Sequence, residues 1–178
     1  MLRHSAILLL LLVATTATAQ RNSFVGVGSS YGHTNETIGI HARMLFHFNY
    51  LSIAPEITYF LPDVQKINGT TVSEGSTGYN LNLRYDFNLN TRWSAYPIIG
   101  ANFTREFLVI DNPTSIFLQL KLNTGFGANL GIGTKYSAKN HLSAFAEYKY
   151  VTGTLGQYMP TIGILFNPQK KKTPAPIH

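Results

Sequence analysis

Apolar and polar residues alternate with a period of two along most of the chain, and no segment shows a convincing 3.6-residue apolar period. The clearest stretch runs from Ile38 to Phe48. Ile38, Ile40, Ala42, Met44, Phe46 and Phe48 share one face, and Gly39, His41, Arg43, Leu45 and His47 share the other. Leu51 to Leu61 sets Leu51, Ile53, Pro55, Ile57, Tyr59 and Leu61 against Ser52, Ala54, Glu56, Thr58 and Phe60. Tyr79 to Phe87 opposes Tyr79, Leu81, Leu83, Tyr85 and Phe87 to Asn80, Asn82, Arg84 and Asp86. Leu142 to Tyr150 opposes Leu142, Ala144, Ala146, Tyr148 and Tyr150 to Ser143, Phe145, Glu147 and Lys149. A soluble strand is about five or six residues long, whereas a strand tilted across a bilayer needs about 9–11. All four stretches have the longer size.

Four more stretches complete the set: Ser23 to Tyr31, Trp93 to Arg105, a long segment ending with Gly125 to Ser137, and Tyr158 to Phe166. The connections alternate. Those near Asn49-Tyr50, Asn88 to Thr91 and Ser137 to Asn140 are short, while Pro62 to Ser76 and the region from Glu106 to Ser115 are long. Short turns on one rim and longer loops on the other are the habit of transmembrane barrels, with the short set periplasmic. The pattern predicts an all-β fold: an eight-stranded antiparallel up-and-down transmembrane β-barrel. On that topology Phe46, Phe48, Tyr85, Phe87, Trp93, Tyr136 and Phe166 fall near the periplasmic rim. Tyr59, Tyr79, Phe103, Tyr148 and Tyr150 fall near the outer rim, with aliphatic residues between. Two aromatic girdles around an aliphatic band are expected where rings favour the headgroup level. Pro55 and Pro97 each remove a ladder donor, so a bulge is expected at both.

A soluble barrel or a β-sandwich would use the same alternation. A soluble barrel has no reason to sort its rings to two rims, and the Gly-x-Trp of lipocalins is missing, because Trp93 follows Thr91-Arg92. A sandwich needs only strands of ordinary length.

Composition then sets the compartment. Met1 to Gln20 combines a basic start at Arg3, an apolar run from Ala6 to Ala14 and the A-x-A site Ala17-Thr18-Ala19. That order marks a secretory leader, cleaved after Ala19. Residues 1–19 are thus read as signal peptide, 20–167 as barrel and 168–178 as a disordered, basic periplasmic tail. Lys170, Lys171 and Lys172 carry half of the net charge of +6, which leaves no basic face for nucleic acid. The chain has no cysteine, which excludes disulfides, thiolate metal sites and a cysteine nucleophile.

The segments SIAPEITYF (from Ser52), YPIIGANF (from Tyr96), GANLGIGTKY (from Gly127), LSAFAEYKY (from Leu142) and TIGILFNP (from Thr161) carry a family likeness. The chain resembles the small outer-membrane β-barrel proteins of Gram-negative bacteria, of the OmpA-transmembrane or OmpX type. The resemblance implies residence in the bacterial outer membrane, contact with its lipid, and no cofactor. Such barrels often end on an aromatic strand; here Phe166 is followed by twelve more residues.

An eight-stranded barrel is just wide enough for side chains to fill. His41, Arg43, Glu56, Arg84, Asp86, Lys135, Glu147 and Lys149 would point inward, where charges must pair. Glu56 is expected to meet Arg43, and Glu147 to meet Lys135, as a structural charge network replacing an apolar core. Histidines lack metal-ligand spacing, so no metal is expected. His141, Ser143 and Glu147 share one strand and suggest a lipid-modifying barrel enzyme as an alternative. A narrow conduit for small apolar molecules is another. The stretch from Pro62 to Ser76 reads as a polar extracellular loop that could meet a protein or a glycan. The favoured expectation is a non-catalytic, monomeric barrel with a structural or surface-interaction role.

Overall fold

The computed structural model describes residues 23–33, 36–67, 70–111, 119–139, 141–153 and 156–168. The leader and nearly all of the basic tail lie outside the described residues. Nine strand segments follow one another: β1 (Ser23–Gly32), β2 (Thr37–Phe48), β3 (Leu51–Ile67), β4 (Thr70–Tyr85), β5 (Phe87–Asn88), β6 (Trp93–Asp111), β7 (Gln119–Lys139), β8 (Leu142–Val151) and β9 (Gln157–Phe166). The two-residue β5 resumes β4 beyond Asp86, so the nine segments make eight staves. Each pairs antiparallel with its chain neighbour, β4 bonds to β6, and β1 bonds to β9 to close the barrel. Closure leaves the wall no unpaired edge for its outward apolar residues to bring together with other chains.

The alternation read from the sequence becomes the two faces of this wall. On β8 every residue from Leu142 to Val151 alternates between exposed and buried, with Ser143, Phe145, Glu147, Lys149 and Val151 inside. On β2 the outward set includes Ile38, Ile40, Met44 and Phe48, and His41, Arg43 and Leu45 are buried. The polar residues form the interior and the apolar residues form the exterior, the reverse of a soluble barrel.

Two expectations need correction. The described residues of Pro62 to Ser76 are strand, not loop. β3 continues to Ile67, β4 starts at Thr70, and the two remain paired from Asp63↔Glu74 to Ile67↔Thr70. Asn68-Gly69 between them is a strong hairpin signal in the sequence, and Thr70, Thr71 and Val72 are β-branched strand formers. β6 likewise runs through Glu106 to Asp111 and pairs with β7 out to Ile110↔Gln119. β3, β4, β6 and β7 therefore have 17, 16, 19 and 21 residues, against 10 for β1, β8 and β9 and 12 for β2. Four staves on one side rise well above the rest.

The bulges are also elsewhere. Pro55 sits opposite Leu81 and Pro97 opposite Ile132 with the register unbroken on those sides. The register shifts instead between Phe60 and Asp63, around Pro62, and between Ser137 and Lys139. A missing N–H costs one ladder bond; an extra residue is a separate event. The Pro62 bulge marks the height at which β3 leaves the closed wall.

Inside, an apolar cluster of Leu45, Ala54, Phe145 and Leu165, with Phe24 against it, sits toward the short-turn end. A second cluster of Phe60, Val151 and Met159 sits toward the other end. Between them lie the polar and charged side chains. Glycine makes room for them: a methyl at Gly133 would strike the Tyr96 ring and the Glu147 stem. At the closing seam a methyl at Gly28 would strike the backbone of Ile162 and Gly163.

Candidate functional site

The central interior is built by β2, β3, β4, β6 and β8. Arg43 projects from β2 and donates Nη2 to Glu147 Oε2 at 2.6 Å and Nη1 to Glu147 Oε1, a two-pronged pairing. Its Nη2 also lies 3.3 Å from Glu56 Oε1 on the adjacent strand. Lys149 donates to Glu56 Oε2 at 2.6 Å. All four side chains are fully withdrawn from solvent. Two cations and two carboxylates thus balance away from bulk solvent, as buried charges require. Arg43 Nε donates to His41 Nε2 at 2.8 Å, so His41 Nδ1 carries the ring proton and donates to Thr58 at 3.1 Å. Tyr96 donates its hydroxyl to Glu147 Oε1 at 3.0 Å.

Toward the short-turn end the arrangement loosens. Arg84 lies over the Tyr96 ring at 3.5 Å and approaches Glu147 Oε1 only to 3.5 Å and Asp86 Oδ1 only to 3.9 Å. Lys135 reaches Asp86 Oδ1 at 3.7 Å, not Glu147 as its place one strand away suggested. Glu147 is reached instead from β2, across the lumen, because the stagger of a closed barrel decides which residues share a level. Ser52 donates to Asp86 Oδ2 at 3.0 Å and meets His47 Nδ1 at 2.6 Å.

Toward the long-strand end, asparagines take over. Asn102 donates to Asn80 Oδ1 at 2.8 Å, and Asn129 donates to Asn80 Oδ1 and Asn82 Oδ1 at 2.8 Å each. Tyr96 and these asparagines were not among the sequence candidates. Their inward parity was legible in the alternation; their convergence was not.

On the outside, the rings gather at two heights. At the short-turn end Tyr50 and Tyr85 stack at 6.0 Å, Tyr85 meets Phe87 at 4.8 Å, and Trp93 meets Tyr136 at 4.8 Å. Phe48 and Phe166 are exposed there and Phe46 is half-buried. At the other end Tyr79 meets Phe103 at 6.1 Å, Phe103 meets Phe126 at 4.8 Å, Tyr148 and Tyr150 flank Tyr158, and Tyr59 stacks on Phe107 at 6.3 Å. Tyr79 and Tyr85 on β4 are six residues apart, about 20 Å of strand. Exposed Ile40, Leu81, Leu83, Ile99, Leu130 and Ile162 fill that height.

The alternative hydrolytic trio does not assemble. Glu147 is engaged by Arg43, Ser143 Oγ meets Ser137 Oγ at 3.4 Å, and the His141 ring lies against Phe166 at 6.4 Å. Among the described residues no group of three or more His, Asp or Glu converges where a metal ion could sit.

An apolar, ring-edged exterior around a charged interior defines a membrane-spanning barrel. Residues 5–159 match the model of the outer membrane protein beta-barrel domain, and the chain belongs to that family of bacterial outer-membrane proteins. Solved barrels share the fold at low identity. Ail, the attachment invasion locus protein of Yersinia pestis, superposes with a TM-score of 0.57 at 13% identity, covering 81% of this chain and 96% of Ail. The N-terminal β-barrel domain of Pseudomonas aeruginosa OprF gives 0.56 at 16% identity, covering 83% and 97%. A major outer membrane protein from Thermus thermophilus gives 0.58 at 10% identity, covering 82% and 99%. No curated protein sequence matches the chain.

Proposed function

We propose that this protein is a non-catalytic outer-membrane barrel that presents a recognition surface to the cell exterior, with its lumen closed by the charge network. The observation that carries this reading is the unequal height of the wall. β3, β4, β6 and β7 continue past the outer aromatic girdle while β1, β2, β8 and β9 stop there. Short turns belong to the periplasmic side, so the tall staves face out.

The tall staves also expose edges. Pairing of β2 with β3 ends at Gly39↔Phe60, so the stretch of β3 from Leu61 outward has no β2 partner. Pairing of β8 with β7 begins at Asn129↔Val151, so β7 before Ala128 has no β8 partner. An open strand edge accepts an extended peptide through main-chain bonds. Ail has been crystallised with the heparin analogue sucrose octasulfate. Here an anionic glycan finds little to hold. Lys66, Arg105 and Lys121 are outnumbered in the tall part by Asp63, Glu74, Glu106 and Asp111. A protein partner fits this chemistry better.

The lumen reading rests on the fully buried ion pairs and the two apolar clusters above and below them. Export follows from the leader, with cleavage after Ala19 to be read by sequencing the mature N-terminus. The experiment for recognition trims β3 and β4 back to the girdle and compares host-cell or protein binding by whole bacteria. Binding should be lost while the gel shift of unheated protein, which reports the barrel, is kept. Unchanged binding would reject the surface assignment.

A further inference from the structure

Among the described residues the interior holds four cations, Arg43, Arg84, Lys135 and Lys149, against three carboxylates, Glu56, Asp86 and Glu147. The excess is not spread evenly. Arg43 and Lys149 are satisfied by Glu147 and Glu56 at hydrogen-bond distance. Arg84 instead stands 3.5 Å from Glu147 Oε1, which Arg43 already engages, and 3.9 Å from Asp86 Oδ1, an oxygen it shares with Lys135 at 3.7 Å. The Arg84 side chain is 0% exposed, yet its Nε, Nη1 and Nη2 make no hydrogen bond. The Ser94 hydroxyl, directly opposite Lys135 in the ladder, is also buried without a hydrogen-bond partner. A buried guanidinium with no acceptor is costly. Among the described residues the unused groups of this layer are the Arg84 donors, the Ser94 hydroxyl, which is free to donate, and Asp86 Oδ1, and Arg84 and Lys135 outweigh Asp86 in charge. Lys135 keeps 13% of its side chain exposed at the short-turn end, which gives a small ion an entry from the periplasm.

We propose that this lower layer of the lumen binds a small monovalent anion, of the chloride class, between Arg84, Lys135 and Ser94. The anion brings the interior to neutrality and supplies the acceptor that Arg84 lacks. His47 and Ser52 border the site on the β2–β3 side but are turned to each other and to Asp86. Tyr96 closes it from above through its ring contact with Arg84. The site is a dead end, because the Arg43–Glu147 pair blocks the level above.

The proposal rests on the closed-lumen reading, and the tests separate the two. Crystals of the detergent-solubilised full chain grown in sodium bromide should show an anomalous bromine peak within hydrogen-bond reach of Arg84 and Lys135. A map with no peak there overturns the site. In solution, the urea midpoint of the refolded protein should be higher in sodium chloride than in sodium gluconate of equal ionic strength. Lys135→Gln should abolish that difference, because it restores the charge balance without an ion. Ser94→Ala keeps every charge and removes one donor, so the chloride needed for half the effect should rise by about tenfold. Equal midpoints in the two salts, or an effect undiminished in both variants, overturn the proposal. Planar-bilayer recordings complete the separation. A large chloride current would reject the closed lumen, whereas a silent barrel without the bromine peak would reject the anion site alone.

Discussion

The wall below the outer girdle and the four-stranded sheet above it are made of the same strands, yet they obey different constraints. Ile99 in the wall and Val64 in the sheet are both 60% exposed. Around Ile99 lie Leu83 and Leu130, its ladder partners, in a ring of aliphatic side chains that faces hydrocarbon. Val64 pairs with Ser73, beyond the Pro62 bulge, where the neighbours are Asp63, Gln65 and Lys66. Inside the wall, Glu147 is gripped by Arg43 and Tyr96. Above it, Glu106 accepts an exposed bond from Asn123 at 3.0 Å. Lipid outside and closure around the lumen make each wall position obligatory. Once both are gone, the same two-residue alternation tolerates mixed chemistry on either face.

Four substitutions probe this difference, and the interior should respond most. Glu147→Ala removes the carboxylate that grips Arg43 and leaves Arg43 and Lys149 to share Glu56, and should cost about 3–5 kcal/mol. Urea unfolding of refolded protein, followed through the lone Trp93 at the rim, would show it. A loss below about 1 kcal/mol would mean that the central pairs contribute little. Next, Ile99→Arg puts a charge at mid-wall and should cost about 2–4 kcal/mol in bilayers. The matched Val64→Arg should stay within about 0.5 kcal/mol. Equal costs for the two arginines would erase the boundary drawn at the girdle. Between these extremes, Gly133→Ala drives a methyl into Tyr96 and Glu147 and should cost about 1–3 kcal/mol. A neutral result would show that the Tyr96 ring can retreat.

Much of the wall was legible from Ile38 to Phe48, Leu51 to Phe60 and Leu142 to Tyr150, because a half-apolar strand writes its two faces into consecutive residues. The aromatic positions followed from strand direction alone. Above the girdle the pattern misled. Between Pro62 and Ser76 the polar content resembled a loop, although Asn68-Gly69 marked a hairpin. Phe107 lies in that upper region, where it gives Tyr59 an aromatic partner that no local pattern announced. In the lumen, parity placed Arg43, Glu56, Arg84, Asp86, Lys135, Glu147 and Lys149 on the inner face but did not choose their partners.

By itself, then, the chain's alternation determined strand identity, membrane length and which face meets lipid, since these are properties of one strand at a time. Only the closed barrel decided that Glu147 meets Arg43, 104 residues away, that Lys135 turns to Asp86, and that four staves outgrow the others. Those outcomes depend on stagger between strands and on how far each ladder keeps pairing, and both are fixed by the whole ring.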